Sequence, residues 1–309
     1  LTTVAPSNSD VWVAKYSGAT GERLWSHTYN GYLSNVDYAT SIAVEANGNV
    51  AVAGATVTGS GNYDMYVVKL SAAGAVIWEN ALDGGSNRSD IANKVLMDSA
   101  GNVFVAGYKG NSSNRKISFA AKLSAAAGNV LWTHQRVGSA VLDDMLYGLA
   151  LDANDNLVVA GSLYAAGSYD LYVAKLQGDS AGPAATVMWE TVTDPFGNND
   201  SFYDVVVDGD GHVVAAGTSR NASNLHERIV AKYDGSTGVR LWDTRLNQGL
   251  STSGDRAFNA QLALDGANNV AVTGFAVSST NDGTLDVYTA KVMTADGALL
   301  WAETHPSPA

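Results

Sequence analysis

A unit that recurs about every 55 residues runs the length of this 309-residue chain, and no other feature restricts its fold so strongly. Each unit carries a hydrophobic strand that ends in Lys, then a turn, then a Trp. The recurring tryptophans are Trp25, Trp78, Trp132, Trp189, Trp242 and Trp301. A fixed period of this length is typical of one supersecondary unit repeated in space.

Two further strands lie between successive tryptophans, as in SIAVEANGNVAVAG at residues 41–54. Each unit therefore has four short strands rich in Val, Leu, Tyr and Trp, joined by turns with the Gly, Asn and Asp content of hairpins. Four strands per unit of this length indicate the blades of a β-propeller. A helical solenoid is excluded, because Gly or Asx turns interrupt every stretch long enough to form a helix.

The count of strands predicts an all-β propeller of six blades, five complete and one partial at the N-terminus. The Lys strand and the Trp strand occur six times, but the first two strands of a blade occur only five times. One domain covers residues 1–309, with the partial blade at 1–36 and complete blades at 37–89, 90–143, 144–199, 200–254 and 255–309. Seven blades are the alternative if the chain is trimmed. A neighbouring subunit could supply the missing strand, since an open sheet edge is a template for pairing.

The order of these motifs resembles the bacterial and archaeal β-propeller repeats named for seven-bladed propellers. The pattern of that family runs D-x-A-x-x-I-A-V-D, G-N-V-Y-V-A-G, V-A-K-L and G-x-x-x-W, and nearly the whole chain follows it. The resemblance implies the propeller fold and no common activity. Residues 16–25 (YSGATGERLW) and 233–242 (YDGSTGVRLW) are also similar to the tryptophan-docking motif of quinoprotein dehydrogenases, which implies a structural role for their tryptophans.

Charge and composition exclude several classes of function. The formal net charge of −12 repels nucleic acid and anionic membrane surfaces. The absence of Cys removes disulfides, thiolate nucleophiles and Cys-ligated zinc. No apolar run is long enough to span a membrane, so no membrane insertion is expected. A start at Leu1 and a composition rich in Ala, Gly, Ser, Asn and Thr favour an exported protein, extracellular or at the cell surface, with the periplasm as the alternative.

Residues that recur in every unit are interpreted as structural. The six tryptophans are predicted to be core wedges between blades. The strand-ending lysines are expected to pair with the acids that end the first strand of each complete blade, because an ion pair accounts for both sets. The lysines are Lys15, Lys69, Lys122, Lys175, Lys232 and Lys291, and the acids are Glu45, Asp98, Asp152, Asp208 and Asp265.

The candidate binding residues lie in the long, dissimilar loops that strand alternation places at one end of each blade. A second set of acids precedes the first strand of each complete blade: Asp37, Asp90, Asp144, Asp200 and Asp255. These short side chains are expected to bond backbone N–H groups, with a Ca²⁺-attracting ring as the alternative. The same loops carry Tyr32, Tyr108, Tyr164, Tyr169 and Phe275. The 177–188 loop is expected to protrude from the opposite end.

These observations favour a non-catalytic exported scaffold for binding or assembly through protein–protein contacts, including self-association through the partial blade as in a filament or surface layer. No P-loop or H-E-x-x-H motif is present, and the G-x-S-x-G pattern at residues 178–182 (GDSAG) lies in the predicted 177–188 loop and not at a nucleophile elbow. The five His residues lack metal-ligand spacing, and His27 and His134 are predicted to be exposed. No catalytic residue, metal or cofactor is therefore expected. A glycan-binding module and a quinoprotein-like or hydrolytic enzyme stay open as alternatives.

Overall fold

The computed structural model describes residues 9–31, 36–58, 61–138, 142–223, 226–246, 258–277 and 285–305. These residues form 22 β-strands and no helix. The strands make six antiparallel sheets, in which neighbours along the chain are neighbours in the sheet. The predicted all-β fold with five complete four-stranded sheets and one two-stranded sheet is confirmed.

The sheets are numbered in chain order. Sheet 1 contains β1 (Val11–Tyr16) and β2 (Arg23–Tyr29); sheet 2 contains β3 (Tyr38–Val44), β4 (Val50–Val57), β5 (Tyr63–Leu70) and β6 (Val76–Leu82); sheet 3 contains β7 (Ile91–Met97), β8 (Val103–Gly110), β9 (Lys116–Leu123) and β10 (Val130–Arg136); sheet 4 contains β11 (Met145–Leu151), β12 (Leu157–Ala165), β13 (Ser168–Leu176) and β14 (Val187–Thr193); sheet 5 contains β15 (Ser201–Val207), β16 (Val213–Arg220), β17 (His226–Tyr233) and β18 (Arg240–Arg245); sheet 6 contains β19 (Phe258–Leu264), β20 (Val270–Val277), β21 (Leu285–Val292) and β22 (Leu299–His305).

Burial changes from strand to strand across a sheet. Every residue of β4 is buried, and β5 is buried over nearly its whole length. Such strands are covered on both faces, so their sequences read as continuous apolar runs. The outer strand β6 instead alternates between exposed residues and a buried or half-buried one. The hydrophobic pattern therefore places the middle strands inside and the Trp strand at the edge.

The first strand of each complete sheet contains a β-bulge opposite a recurring Gly of the second strand. In sheet 5 the register shifts between Phe202 and Asp204, which leaves Tyr203 out of the ladder. A Cβ on Gly217 would lie 1.9 Å from the carbonyl oxygen of Ser201. The Gly that ends the V-A-G motif is therefore required by a close backbone approach. Equivalent glycines are Gly54, Gly107 and Gly161.

The chain divides into two compact units: Leu1–Arg136 with Ala181–Ala184, and Val137–Ser180 with Ala185–Ala309. In the first unit, cores form between sheets 1 and 2 and between sheets 2 and 3. In the second unit, cores form between sheets 4 and 5 and between sheets 5 and 6. Within each unit the sheets thus stack face to face, as neighbouring blades do. The division of the chain into a single domain stays a prediction.

Recurring tryptophans fasten one sheet to the next. The indole N–H of Trp78 donates to the carbonyl oxygen of Ala125 at 3.0 Å, and that of Trp189 donates to Gly235 at 3.1 Å. Trp25 and Trp242 make the same bond to Ala72 and Thr294. In each pair the acceptor lies in the turn before the Trp strand of the following sheet. The wedge prediction is confirmed for these four.

The predicted Lys–acid pairs are also present, and they join strands of one sheet. The five pairs are Lys69–Glu45, Lys122–Asp98, Lys175–Asp152, Lys232–Asp208 and Lys291–Asp265, at 2.5 to 2.8 Å. Several lysines also donate to a carbonyl oxygen of the next sheet, as Lys232 does to Thr294 at 2.9 Å. One ammonium group therefore connects a strand, a turn and a neighbouring sheet.

Two predictions for the outer strands are wrong. His134 was expected to be exposed but is buried. The 177–188 loop was expected to protrude, but its residues Ala181–Ala184 lie along β10 in the first unit. Thr133 donates its N–H to the carbonyl oxygen of Pro183 at 2.9 Å and forms a parallel bridge with Ala184. The outer edge of a sheet presents unpaired backbone groups, and this segment satisfies one of them.

A third correction concerns the last sheet. Trp301 is 44% exposed, whereas the tryptophans at the same position of sheets 2 to 4 are buried. Its expected receptor is a turn of the next sheet, and sheet 6 is the last sheet in chain order among the described residues. Within the second unit, Trp301 is therefore exposed and does not act as a core wedge.

Candidate functional site

The acids that precede the first strand lie buried at the loop-rich end of the sheets. Asp37 accepts hydrogen bonds from the N–H of Gly31 at 2.6 Å and from the N–H of Val57 at 3.0 Å. Asp90 bonds Gly84 and Gly110 in the same way, and Asp144 bonds Gly138 and Tyr164. The expected bonds to backbone N–H groups are thus present. Each of these carboxylates thus connects two loops at one end of its sheet.

Asp200 departs from this pattern. Its Oδ1 accepts the N–H of Arg220 at 2.8 Å, but its buried Oδ2 has no hydrogen-bond partner in the described part of the chain. The other three acids have Gly six residues earlier, whereas Asp200 has Asp194 there. A Cβ on Gly84 would lie 2.8 Å from Asp90 Oδ1, so a residue with a side chain cannot take that place. One substitution in the repeat therefore explains the uncapped oxygen.

Burial raises the pKa of Asp200 to about 6, with the nearby Asp194 carboxylate adding to the effect of desolvation. Burial also raises the pKa of Asp90, despite the hydrogen bonds that its carboxylate accepts from backbone N–H groups. Four acids of the Lys pairs have a lowered pKa instead: Glu45, Asp98, Asp152 and Asp265. Burial alone would raise the pKa of Asp98, but the hydrogen bond and charge of Lys122 outweigh it and lower that pKa.

The shift at Asp200 predicts a pH dependence of stability. In the unfolded chain this carboxyl loses its proton near pH 3.9, and in the folded chain it keeps it to about pH 6. The folded state therefore binds more protons between these values, and the free energy of unfolding falls as pH rises, by at most about 1.4 kcal/mol per pH unit. We expect Asp200→Asn to remove this part of the slope. Urea denaturation across this pH range measures the free energy of unfolding, and substitution of the exposed Asp179 with Asn is the control. Equal pH dependence of this free energy in Asp200→Asn and in the wild type would contradict the assignment.

Asp200 lines a cleft of about 180 Å³ in the second unit, which we call the tyrosine cleft. Its walls include Tyr147, Tyr169 and Tyr203. The rings of Tyr147 and Tyr203 lie 5.3 Å apart at 53°, and both residues occupy the bulge of their first strand. A bulge re-aims a side chain out of the ladder. The bulge positions of sheets 4 and 5 thus bring two aromatic rings to the side of one buried carboxylate.

Sequence reasoning found part of this cleft. Tyr169 and Asp200 are candidates that lie in it, and Tyr164 packs edge to face on Tyr169 with centroids 5.4 Å apart. Tyr147 and Tyr203 were not predicted. The signal that identifies them is the position three residues after each acid of the second set, which holds Thr40 and Asn93 in sheets 2 and 3 but Tyr in sheets 4 and 5.

The other candidates are not brought into the tyrosine cleft. Tyr108 lies on β8, where the ammonium of Lys116 sits 4.7 Å from its ring centroid. Phe275 lies on β20 and is exposed. Tyr32 and Asp255 lie outside the described residues.

One acidic cluster has the ligand type for a cation. Carboxylate oxygens of Asp64, Asp83 and Asp90 lie within 4.8 Å of one another in the first unit, and Asp83 is exposed. Hard oxygen ligands suit Ca²⁺. The ammonium of Lys109 donates to the carbonyl oxygen of Asp83 at 3.4 Å and attracts these carboxylates. The arrangement is a local cluster between two sheets and differs from the predicted ring with one Asp per blade.

The turn at Gly21 and the ring of Trp301 are exposed, although the equivalent turns and rings contact each other elsewhere in the chain. A Cβ on Gly238 would meet the ring of Trp189 at 2.5 Å, and the equivalent Gly74, Gly128 and Gly297 hold Trp25, Trp78 and Trp242 in the same way. Gly21 occupies the same turn of sheet 1 with a φ of +71°, yet nothing lies within 4 Å of its Cβ position. Trp12 on β1 is 50% exposed, while its counterpart Tyr66 is buried. Within the first unit the turn at Gly21 is thus a receptor without a Trp, and within the second unit Trp301 is a ring without a receptor.

Antiparallel sheets that stack face to face within each unit, four of them holding the Trp of the sheet before, define a β-propeller repeat protein of six blades, the first of them partial. Residues 9–303 match the family model described as outer membrane protein assembly factor BamB. The chain belongs to this family. The narrower expectation of seven-bladed-type repeats stays a prediction. No curated protein sequence matches the chain.

Solved structures share the fold at low sequence identity. The quinohemoprotein alcohol dehydrogenase of Comamonas testosteroni is 11% identical with a TM-score of 0.56, and the match covers 98% of this chain and 61% of that one. A quinohemoprotein alcohol dehydrogenase of Pseudomonas putida is 14% identical with a TM-score of 0.54, over 87% of this chain and 42% of that one. A protein of unknown function from Dyadobacter fermentans is 12% identical with a TM-score of 0.54, over 88% and 83%. The chain therefore spans less than two thirds of both dehydrogenases.

The described residues include no helix with the length and apolar character needed to cross a membrane.

Proposed function

We propose that this protein is a non-catalytic scaffold that assembles through contacts copied from its own repeat. The observation that carries the proposal is the pair of unmatched docking parts, the exposed ring of Trp301 and the uncovered turn at Gly21. Inside the chain, this ring and this turn form a contact four times. In a second copy of the chain, the turn at Gly21 is a receptor of the right chemistry for Trp301. Docking would bury the indole and give its N–H a carbonyl acceptor.

The pairing of the recurring charged side chains with one another supports a non-catalytic role. Each described Lys–acid pair is satisfied within its sheet, and four indole N–H groups are bonded to carbonyl oxygens of the following sheet. A quinone cofactor needs a Trp free to stack on it, and these four are already in use. These four tryptophans therefore have a structural role, and the likeness to dehydrogenases at 11% and 14% identity supports the fold alone.

The family description names an assembly factor for outer membrane proteins, and such a role consists of protein–protein contacts. It also supports an exported protein that works at an envelope surface or in the periplasm. Glycan binding at the aromatic loop residues stays an alternative to protein binding.

The assembly proposal predicts concentration-dependent self-association that two exposed positions control. We expect Trp301→Ala and Gly21→Ala each to weaken association by at least about tenfold, which corresponds to about 1.4 kcal/mol of contact energy. Sedimentation velocity over a range of concentrations measures it. Met188→Ala is the matched control, because Met188 is an exposed residue beside Trp189 in an internal sheet. A chain that is monomeric at every concentration, or association that both variants leave unchanged, would refute the proposal.

A further inference from the structure

The tyrosine cleft contains a buried carboxylate oxygen without a hydrogen-bond partner among the described residues, which distinguishes Asp200 from the equivalent acids of sheets 2 to 4. Asp200 is 2% exposed and lines the cleft, and its Oδ2 accepts no hydrogen bond in the described part of the chain. Asp37, Asp90 and Asp144 each have both oxygens bonded to N–H or hydroxyl groups. A buried charged group without a partner is destabilising. The hydroxyl of Ser219 bonds the Asp200 carboxylate, but Oδ2 has no hydrogen-bond partner among the described residues and can accept a donor from a ligand.

The charge beside the cleft favours a cation as that donor. The carboxylate of Asp194 lies near enough to Asp200 to raise its pKa further. The guanidinium of Arg245 attracts the Asp200 carboxylate, but it is paired with Glu227 at 2.5 Å and lies over the ring of Phe196, 4.8 Å from its centroid. A cationic ligand would thus meet a negative charge that is only partly compensated, in a partly desolvated site where ionic hydrogen bonds are strong.

The side chains that line the cleft indicate the chemistry of the remainder of the ligand. The rings of Tyr147 and Tyr203 offer apolar faces, and the hydroxyls of Ser201 and Thr218 offer further acceptors close to Asp200. An alkyl chain packs on tyrosine rings, while a primary ammonium group has three donors to distribute among several oxygens. A volume of about 180 Å³ admits a short chain of this kind.

We propose that the tyrosine cleft is a binding site for a primary alkylammonium group, carried by a small amine or by a lysine side chain. The ammonium would donate to Asp200 Oδ2, and its alkyl chain would lie against Tyr147 and Tyr203. The site is built by the bulges of sheets 4 and 5 and by the replacement of Gly with Asp194. It does not depend on the proposed self-assembly, since Trp301 and Gly21 take no part in it.

Titration with n-butylammonium, followed by saturation-transfer NMR near neutral pH, tests the proposal. We expect saturable binding with a dissociation constant in the millimolar range, weakened at least about tenfold by Asp200→Asn. Asp179→Asn removes the same charge from an exposed site outside the cleft and should leave binding unchanged. Asp194→Gly restores the residue type that caps the other acids, so it should weaken binding by filling the place of the ligand.

Three further probes separate the ammonium from other ligands. Butanol has the same alkyl chain without the charge, tetramethylammonium has the charge without N–H donors, and glucose is a neutral polyol. The proposal requires n-butylammonium to bind more tightly than all three. Equal binding of butanol, tighter binding of tetramethylammonium or glucose, or an unchanged affinity in a folded Asp200→Asn protein would overturn it. Circular dichroism establishes that each variant is folded.

Discussion

Replacing Lys232 with Met should lower the free energy of unfolding by about 3–5 kcal/mol, because it leaves Asp208 as an uncompensated charge in the interior. The two side chains are 5% and 0% exposed, and their charged atoms lie 2.7 Å apart. Lys232 also donates to the carbonyl oxygen of Thr294, which would keep only the indole N–H of Trp242 as a donor after the substitution. Chemical denaturation at neutral pH measures the loss.

The repeat supplies the control for this prediction. Lys291 and Asp265 form the same pair in sheet 6, but their side chains are 28% and 30% exposed, so water can solvate the remaining charge. Lys291→Met should therefore cost only a small fraction of the Lys232→Met loss. Adding Asp208→Asn to Lys232→Met removes the buried charge and retains the oxygen that accepts the N–H groups of Asp210 and His212. The double variant should be more stable than Lys232→Met, and equal stabilities would contradict the charge argument.

Residues that recur in every unit were predictable because equivalent positions in a repeat meet equivalent surroundings. Lys69 and Lys232 lie on different sheets, yet both pair with the acid that ends the first strand. The same reasoning predicted the buried positions of Trp78 and Trp189. Periodicity thus determines the pairing of side chains as well as the strand order.

The same reasoning fails where the surroundings stop repeating. Trp301 has the sequence context of Trp189, but no following sheet covers it among the described residues, so its environment cannot be read from its own unit. His134 is buried although it lies on an outer strand, and Ala181–Ala184, distant in sequence, lies along that same strand. Contacts that a later insertion makes with an earlier strand have no local sequence signal.

The tyrosine cleft was partly predictable for a related reason. Asp200 and Tyr169 were candidates because they lie in the loop-rich end, but their special character comes from departures at other positions of the repeat. Asp194 replaces a capping Gly, and Tyr203 occupies a bulge that alternation alone does not reveal. Comparing each unit with the others, position by position, identifies such departures more directly than a search for catalytic motifs.

The contact between Trp189 and Gly238 provides the second large effect on stability. Gly238 has a φ of +72°, and a Cβ there would lie 2.5 Å from Cε3 of the buried Trp189 ring. Ala at this position suffers left-handed backbone strain of about 1–2 kcal/mol and overpacking of about 1–3 kcal/mol. We expect Gly238→Ala to lower the free energy of unfolding by about 2–5 kcal/mol, measured by chemical denaturation.

Gly21→Ala separates the two contributions, because Gly21 has nearly the same φ of +71° and nothing within 4 Å of its Cβ position. At concentrations where the chain is monomeric, this variant should show the backbone strain alone. Trp189→Ala should itself cost about 3–5 kcal/mol, and in that background Gly238→Ala should cost only about 1–2 kcal/mol, since the ring that it would strike is gone. If Gly238→Ala costs the same with and without the Trp189 ring, the ring does not pack on this glycine, and the docking contact on which the proposed assembly is based would lose its physical basis.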